Sequence, residues 1–127
     1  MPASVASSDD LEVAQAFLAA LAEAAKTGYF DDVYPFLAVD VQWLTPLRNL
    51  HGIGEVRKEL AWFSPRDQVA AEFDQQLSDL GGGRFVSEVH ETYRSQRTGE
   101  LAFSSDRRIE LTLRDGKIAR YEMHVGG

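Results

Sequence analysis

The chain has 127 residues, of which 44% are hydrophobic and 26% charged, an ordinary globular composition for a single domain over 1–127 with an ordered core at about 9–125. It has no cysteine, which excludes disulfides, thiolate catalysis and cysteine-built zinc sites. No apolar run approaches ~18 residues, so no transmembrane helix is expected, and the net charge of −7 repels phosphate backbones and disfavours nucleic acid.

The first ten residues carry two acids, no base and no apolar h-region. They do not read as a secretory leader, and a cytoplasmic protein is expected. Charge is uneven along the chain. Residues 1–93 hold six Lys and Arg against fifteen Asp and Glu, and residues 94–127 hold seven against five. The basic residues of the second stretch are scattered through alternating strands and read as solvated strand faces.

Residues 1–6 are small and predicted to fray. Ser8-Asp9-Asp10 offers N-caps, and Glu12 stands in capping-box spacing from Asp9. Leu11, Ala14, Phe17, Leu18, Leu21, Ala24 and Ala25 recur at helical spacing and predict a helix over 9–27, ended by Gly28. Asp31 is the expected cap of a short second helix with Pro35 in its first turn. Asp40 closes that segment, and Val41-Gln42-Trp43 reads as a short strand. Thr45 to Gly54 is a loop. Ile53, Val56, Leu60 and Phe63 then mark one face of a third helix, which Ser64-Pro65 stops.

From Val69 the period changes to two. Val69, Ala71, Phe73, Gln75 and Leu77 share one strand face. Phe85, Ser87, Val89, Glu91 and Tyr93 share the next, and Phe103, Ser105, Arg107, Ile109, Leu111 and Leu113 a third. Ala119, Tyr121, Met123 and Val125 lie on one side of the last strand. Turns fall at Gly81-Gly82-Gly83, Thr98-Gly99 and Asp115-Gly116. Four turn-linked strands make an antiparallel meander, and three helices covering one of its faces give an α+β domain. Long twisted strands wrapped around helices leave a concave pocket.

Four stretches carry a resemblance: Val13 to Leu21, Phe36 to Trp43, the glycine-led start of helix three at His51-Gly52-Ile53-Gly54-Glu55-Val56, and the final hairpin Arg114 to Tyr121. Over about residues 9–125 the chain resembles the nuclear transport factor 2-like superfamily, in particular its SnoaL-like branch. That resemblance implies a cone-shaped roll, with three N-terminal helices on a strongly curved, mostly antiparallel sheet that encloses a pocket. It also implies a homodimer formed through the outer sheet face, and no cofactor. A fold of this kind hosts ketosteroid isomerases, limonene-epoxide hydrolase-like enzymes, polyketide cyclases, dehydratases and non-catalytic binding proteins, so the site must decide.

The ketosteroid isomerase pattern places its base in an acid-proline pair five residues after an aspartate. Here Asp40 is followed by Thr45-Pro46, and Phe17 stands where that branch has a tyrosine donor. The limonene-epoxide hydrolase pattern pairs an arginine with two aspartates. Arg108-Ile109-Glu110 is similar to its Arg-x-Asp, Trp43 and Thr45 occupy its tyrosine and asparagine positions, and Met123 replaces the last-strand aspartate.

The candidate acid/base groups are Asp40, His51, His90, Arg107, Arg108, Glu110, His124 and Tyr121. Asp40 or His51 is the expected base, with an arginine of 107–108 as anion holder and Glu110 beside it. Phe17, Trp43, Thr45, Tyr121 and Met123 are expected around the pocket. Strict alternation offers Arg107 to the pocket and turns Arg108 and Glu110 away, whereas a bulge near Ser104-Ser105 would reverse this. Each group also has a plain structural role: Asp40 as a cap, Arg108 and Glu110 as a same-face ion pair, Tyr121 and Met123 as core. No His-x-x-x-His spacing occurs and the acids near each histidine are not spaced as ligands, so no metal is expected. Gly81-Gly82-Gly83 joins strands and does not open a helix, so no phosphate loop is expected. Three readings follow: cofactor-free acid/base chemistry on a small, mostly apolar organic molecule, a non-catalytic dimeric binding module, or an accessory protein whose pocket is filled by side chains, which a structure without a cavity of about 300 Å³ would favour.

Overall fold

The structure, a computed structural model, describes residues 3–62, 69–95 and 97–126. The apolar stripe of the first segment forms α1 (Ala3–Thr27), with Ala14, Phe17, Leu18 and Ala24 buried. α1 starts earlier than its caps predict. Ser8, Asp9 and Asp10 lie inside it, because the small residues before them are themselves helix-compatible. Gly28, at φ +80°, ends it and returns its N–H to the Ala24 carbonyl at 2.7 Å.

The predicted second helix is only a 3-10 turn, Tyr34–Phe36, with Pro35 in its first turn. The Leu37 N–H bonds back to the Tyr34 carbonyl, and the chain becomes extended there. Strand β1 therefore runs Leu37–Leu44 and holds Asp40 in its interior, not at a helix end. The predicted 45–54 loop contains a further short strand, β2 (Asn49–His51), antiparallel to β1 through Gln42↔His51 and Leu44↔Asn49. Between them, Thr45 ties a tight turn by accepting the Arg48 N–H on Oγ1 at 3.1 Å. Helix α2 (Ile53–Leu60) follows Gly52, whose φ is +89°, and Glu55 accepts the His51 N–H at 2.9 Å. Among the described residues two α-helices and a 3-10 turn thus stand in place of three helices. Phe63, Ser64 and Pro65 lie outside the described residues.

The meander is formed by β3 (Val69–Gly81), β4 (Arg84–Ser95), β5 (Leu101–Arg114) and β6 (Lys117–Gly126), each antiparallel to the next. Asp115 and Gly116, at φ +53° and +73°, make the last hairpin the two-residue turn that Asp-Gly favours. The sheet order is β2-β1-β6-β5-β4-β3, with β1 parallel to β6, so the sheet is mixed but mostly antiparallel. α1 packs on β3 and β5, and α2 on β1 and β2. The core between the layers centres on Phe17, Val41, Val56, Phe85, Leu111 and Ile118. Among the described residues no helix is long and apolar enough to cross a membrane.

Candidate functional site

A cavity of about 210 Å³ lies between the helices and the concave sheet face. Leu18 and Leu21 of α1, Leu60 of α2 and Phe30 close it on one side. Trp43, Thr45, Phe73, Gln75, Val89, Glu91, Arg107, Ile109, Tyr121 and Met123 line it from the strands. Alternation explains this set. Residues 107 and 109 of β5 share a face, Val125 and Met123 of β6 stand beside them in register, and Glu91 of β4 pairs with Ser105. Trp43 and Tyr121, adjacent through Trp43↔Tyr121, stack with centroids 3.9 Å apart. Phe17 meets both rings edge-on at 6.4 and 6.1 Å from behind and supports the wall without lining it.

The polar end of the cavity is an ion pair. Arg107 Nε lies 2.6 Å from Glu91 Oε2, and the Glu91 side chain is only 9% exposed. Ser105 Oγ donates to the same carboxylate oxygen at 3.2 Å. The Arg107 Nε–H is not aligned on Glu91; Nε is itself fully buried and has no hydrogen-bond partner among the described residues. Another guanidinium nitrogen, Nη1, lies 3.9 Å from the Met123 sulfur. Burial raises the Tyr121 hydroxyl far above its ordinary value, against an opposing pull from Arg107, so it is a neutral donor. Burial raises Tyr93 too, with the Glu91 charge adding to the shift.

The expected residues divide sharply. Trp43, Thr45, Arg107, Tyr121 and Met123 line the cavity. Asp40, His51, Arg108 and Glu110 do not. Asp40 is exposed and paired with Arg114, whose hydrogen bond holds its carboxyl below the ordinary range. His51 is exposed near it, close enough to add to that lowering. The β4–β5 ladder runs unbroken from Arg84↔Thr112 to Tyr93↔Phe103, so no bulge occurs at Ser104-Ser105, and Arg107 is the arginine that faces inward. Glu91 is the site residue the sequence reading left out. It falls in phase with Phe85 and Val89, and a carboxylate on that apolar face was the available signal.

Arg108 and Glu110 belong to a charged network on the other face. Arg108 lies 3.7 Å from Glu88 and 3.6 Å from Glu110. His124 Nε2 lies 3.0 Å from Glu122 and 3.4 Å from Glu110. Contrary to the spacing argument, the register gathers Glu110, Glu122 and His124 with donor atoms within 4.8 Å of one another, a set that could hold a cation. Arg108 and Arg120 already offset those carboxylates, and hydrogen bonds from Arg120 lower the Glu122 carboxyl. His90 pairs with Asp106 at 2.6 Å on the same exposed face. Hollows of about 290 and 490 Å³ border this network and the β1–β6 rim. Neither contains the Glu91–Arg107 pair.

No protein-family model matches the chain, and no curated protein matches it in sequence. Solved structures do. An NTF2-like protein from Anabaena variabilis superposes with a TM-score of 0.74 at 15% identity, over 94% of this chain and 90% of the other. A candidate isomerase from Bacillus subtilis gives 0.72 at 13% identity, over 92% and 88%. A candidate polyketide cyclase from Xanthomonas campestris gives 0.67 at 20% identity, over 91% and 89%. With its helices on one face of a mixed six-stranded sheet and a cavity between the layers, the chain has the nuclear transport factor 2-like fold shared by these NTF2-like and SnoaL-like proteins.

Proposed function

We propose that the cavity carries out cofactor-free acid/base chemistry on a small, mostly apolar molecule, with Glu91 as base and Arg107 as the holder of developing negative charge. One observation carries this: a nearly buried carboxylate and a guanidinium pair at the polar end of a mostly apolar cavity. Burying such a pair is costly, and apolar residues of similar volume hold a core together as well or better. Its placement in a cleft, beside a protonated Tyr121, is that of working groups. Glu91 can take a proton from a bound molecule while Arg107 and Tyr121 donate to the oxygen on which charge appears. Isomerisation, aldol-type cyclisation and dehydration next to a carbonyl begin with such a transfer, and hydrolysis begins with the same base taking the proton of an attacking water. The solved structures named as candidate isomerases and polyketide cyclases are consistent with that range.

The second reading is a binding module. Thr45 and Met123 favour it, since neither brings a carboxylate to the cavity. Exchange of acidic C–H hydrogens in D2O, followed by NMR over a panel of small cyclic ketones, separates the two. Turnover lost in Glu91→Gln with folding intact supports the enzyme. A ligand retained by the native protein with no exchange on any bound ketone supports the module.

A further inference from the structure

We infer that Glu110, Glu122 and His124, on the sheet face away from the cavity, bind one divalent transition-metal ion of the zinc class. The site is independent of the acid/base reading and stands or falls without it. Register builds it. Glu110 of β5 pairs directly with Glu122 of β6, and His124 follows Glu122 by two, so all three side chains leave the same face. One donor atom from each lies within 4.8 Å of the other two. His124 Nε2 is 3.0 Å from Glu122 Oε2 and 3.4 Å from Glu110 Oε2. Bonds of about 2.0–2.2 Å set tetrahedral zinc ligands roughly 3.3–3.6 Å apart, so two edges of the triangle are already near that length.

The partners of the two glutamates point the same way. Like charges directly opposite on neighbouring strands are destabilising, and a divalent ion would cancel these two. Arg108 does so poorly. It stands 3.6 Å from Glu110 and 3.7 Å from Glu88, too far to hydrogen-bond either, and its side chain is half exposed. Arg120 acts differently. Its Nε and Nη2 donate to Glu122 Oε1 at 3.2 and 2.9 Å. That fixes the carboxylate by one oxygen and leaves Oε2 turned to His124, the arrangement by which a neighbouring donor orients a metal-binding carboxylate. The three side chains are partly exposed, and the hollows of about 290 and 490 Å³ that they border leave room for water to complete the coordination. An imidazole among the ligands favours zinc-like ions over magnesium and calcium, which take oxygen.

The test uses the untagged, metal-stripped chain with Zn2+ alone at pH 7. Calorimetry reads affinity, and native mass spectrometry reads ions per chain whatever number of chains associates. One Zn2+ per chain is expected, and Mg2+ or Ca2+ in about a hundredfold excess should not displace it. Glu110→Gln, Glu122→Gln and His124→Gln should each weaken binding roughly tenfold or more. His90→Gln, which breaks the other histidine–carboxylate pair of that face, should leave it unchanged. Arg108→Gln removes a competing cation and should tighten binding roughly threefold, a gain that a misfolded variant could not give. The inference is overturned by absence of Zn2+ binding, by binding that the three ligand variants leave unchanged, or by a loss in His90→Gln as large as in His124→Gln. Arg108→Gln binding no more tightly than the native chain would also overturn it.

Discussion

The Glu91–Arg107 pair makes an unequal prediction about its two partners. Breaking a fully buried pair from one side costs about 3–5 kcal/mol, because the remaining charge is stranded. Exposed pairs contribute only about 0–1 kcal/mol. The Glu91 side chain is 9% exposed and that of Arg107 34%. Arg107→Met keeps the aliphatic packing but strands a buried carboxylate, which retains the donor from Ser105. That places its cost at the lower end of the buried range, about 3 kcal/mol. Glu91→Gln strands a guanidinium that can turn toward water, and should cost about 1 kcal/mol. The double variant should cost less than the sum of the two, since no charge is then left alone. Urea unfolding at pH 7 reads all three from midpoint shifts, provided the slopes stay equal. If Glu91→Gln costs as much as Arg107→Met, burial does not govern this pair and the reasoning fails.

Four further outcomes are expected. Phe17→Ala removes a fully buried ring from behind Trp43 and Tyr121 and should cost about 4 kcal/mol, a fall in Tm of roughly 15 °C in a thermal scan. Gly83→Ala should destabilise by at least about 2 kcal/mol in urea, because φ is +77° and the new Cβ would stand 2.9 Å from the Leu113 carbonyl oxygen. Gly99→Ala, at φ +76° with open space around it, should lose only about 1 kcal/mol. The Asp40 carboxyl is held below its ordinary 3.8 in the folded state, so its contribution is present above that value and lost as pH falls through the lowered one. Asp40→Asn should therefore be mildly less stable at pH 7, equal to the native protein in strong acid, and unchanged in any activity of the cavity. A loss of activity would return Asp40 to the site.

The meander was legible because period-two alternation and the Gly-rich turns report directly on backbone geometry, as Asp115-Gly116 shows. The cavity wall was legible for a related reason. Once the faces are assigned, Trp43, Arg107, Tyr121 and Met123 must point the same way. Registers between strands were not legible. Glu91 meets Ser105 and lies beside Arg107 only because β4 and β5 pair with one offset, and a shift of one residue would move each to the other face. The same ignorance of register hid the meeting of Glu110, Glu122 and His124 across β5 and β6. Asp40 was misplaced for a local reason. Asp31 and Pro35 signal a helix start, but Leu37 to Leu44 is rich in strand-favouring residues and makes its bonds to distant chain. Tertiary pairing overrode the local signal.

The position of β6 also bears on the order in which the protein can assemble during synthesis. β6 follows every other strand in the chain, yet it sits between β1 and β5. Until it leaves the ribosome, the β1–β2 pair has no strand joining it to the β3–β5 sheet. A nascent chain halted before Lys117 therefore holds two separate half-sheets, with Trp43 lacking the Tyr121 ring it stacks on. Closure of the cavity must wait for the β5–β6 hairpin, so stalling or trimming within β6 should strand an incompletely closed intermediate and not merely a shortened native protein.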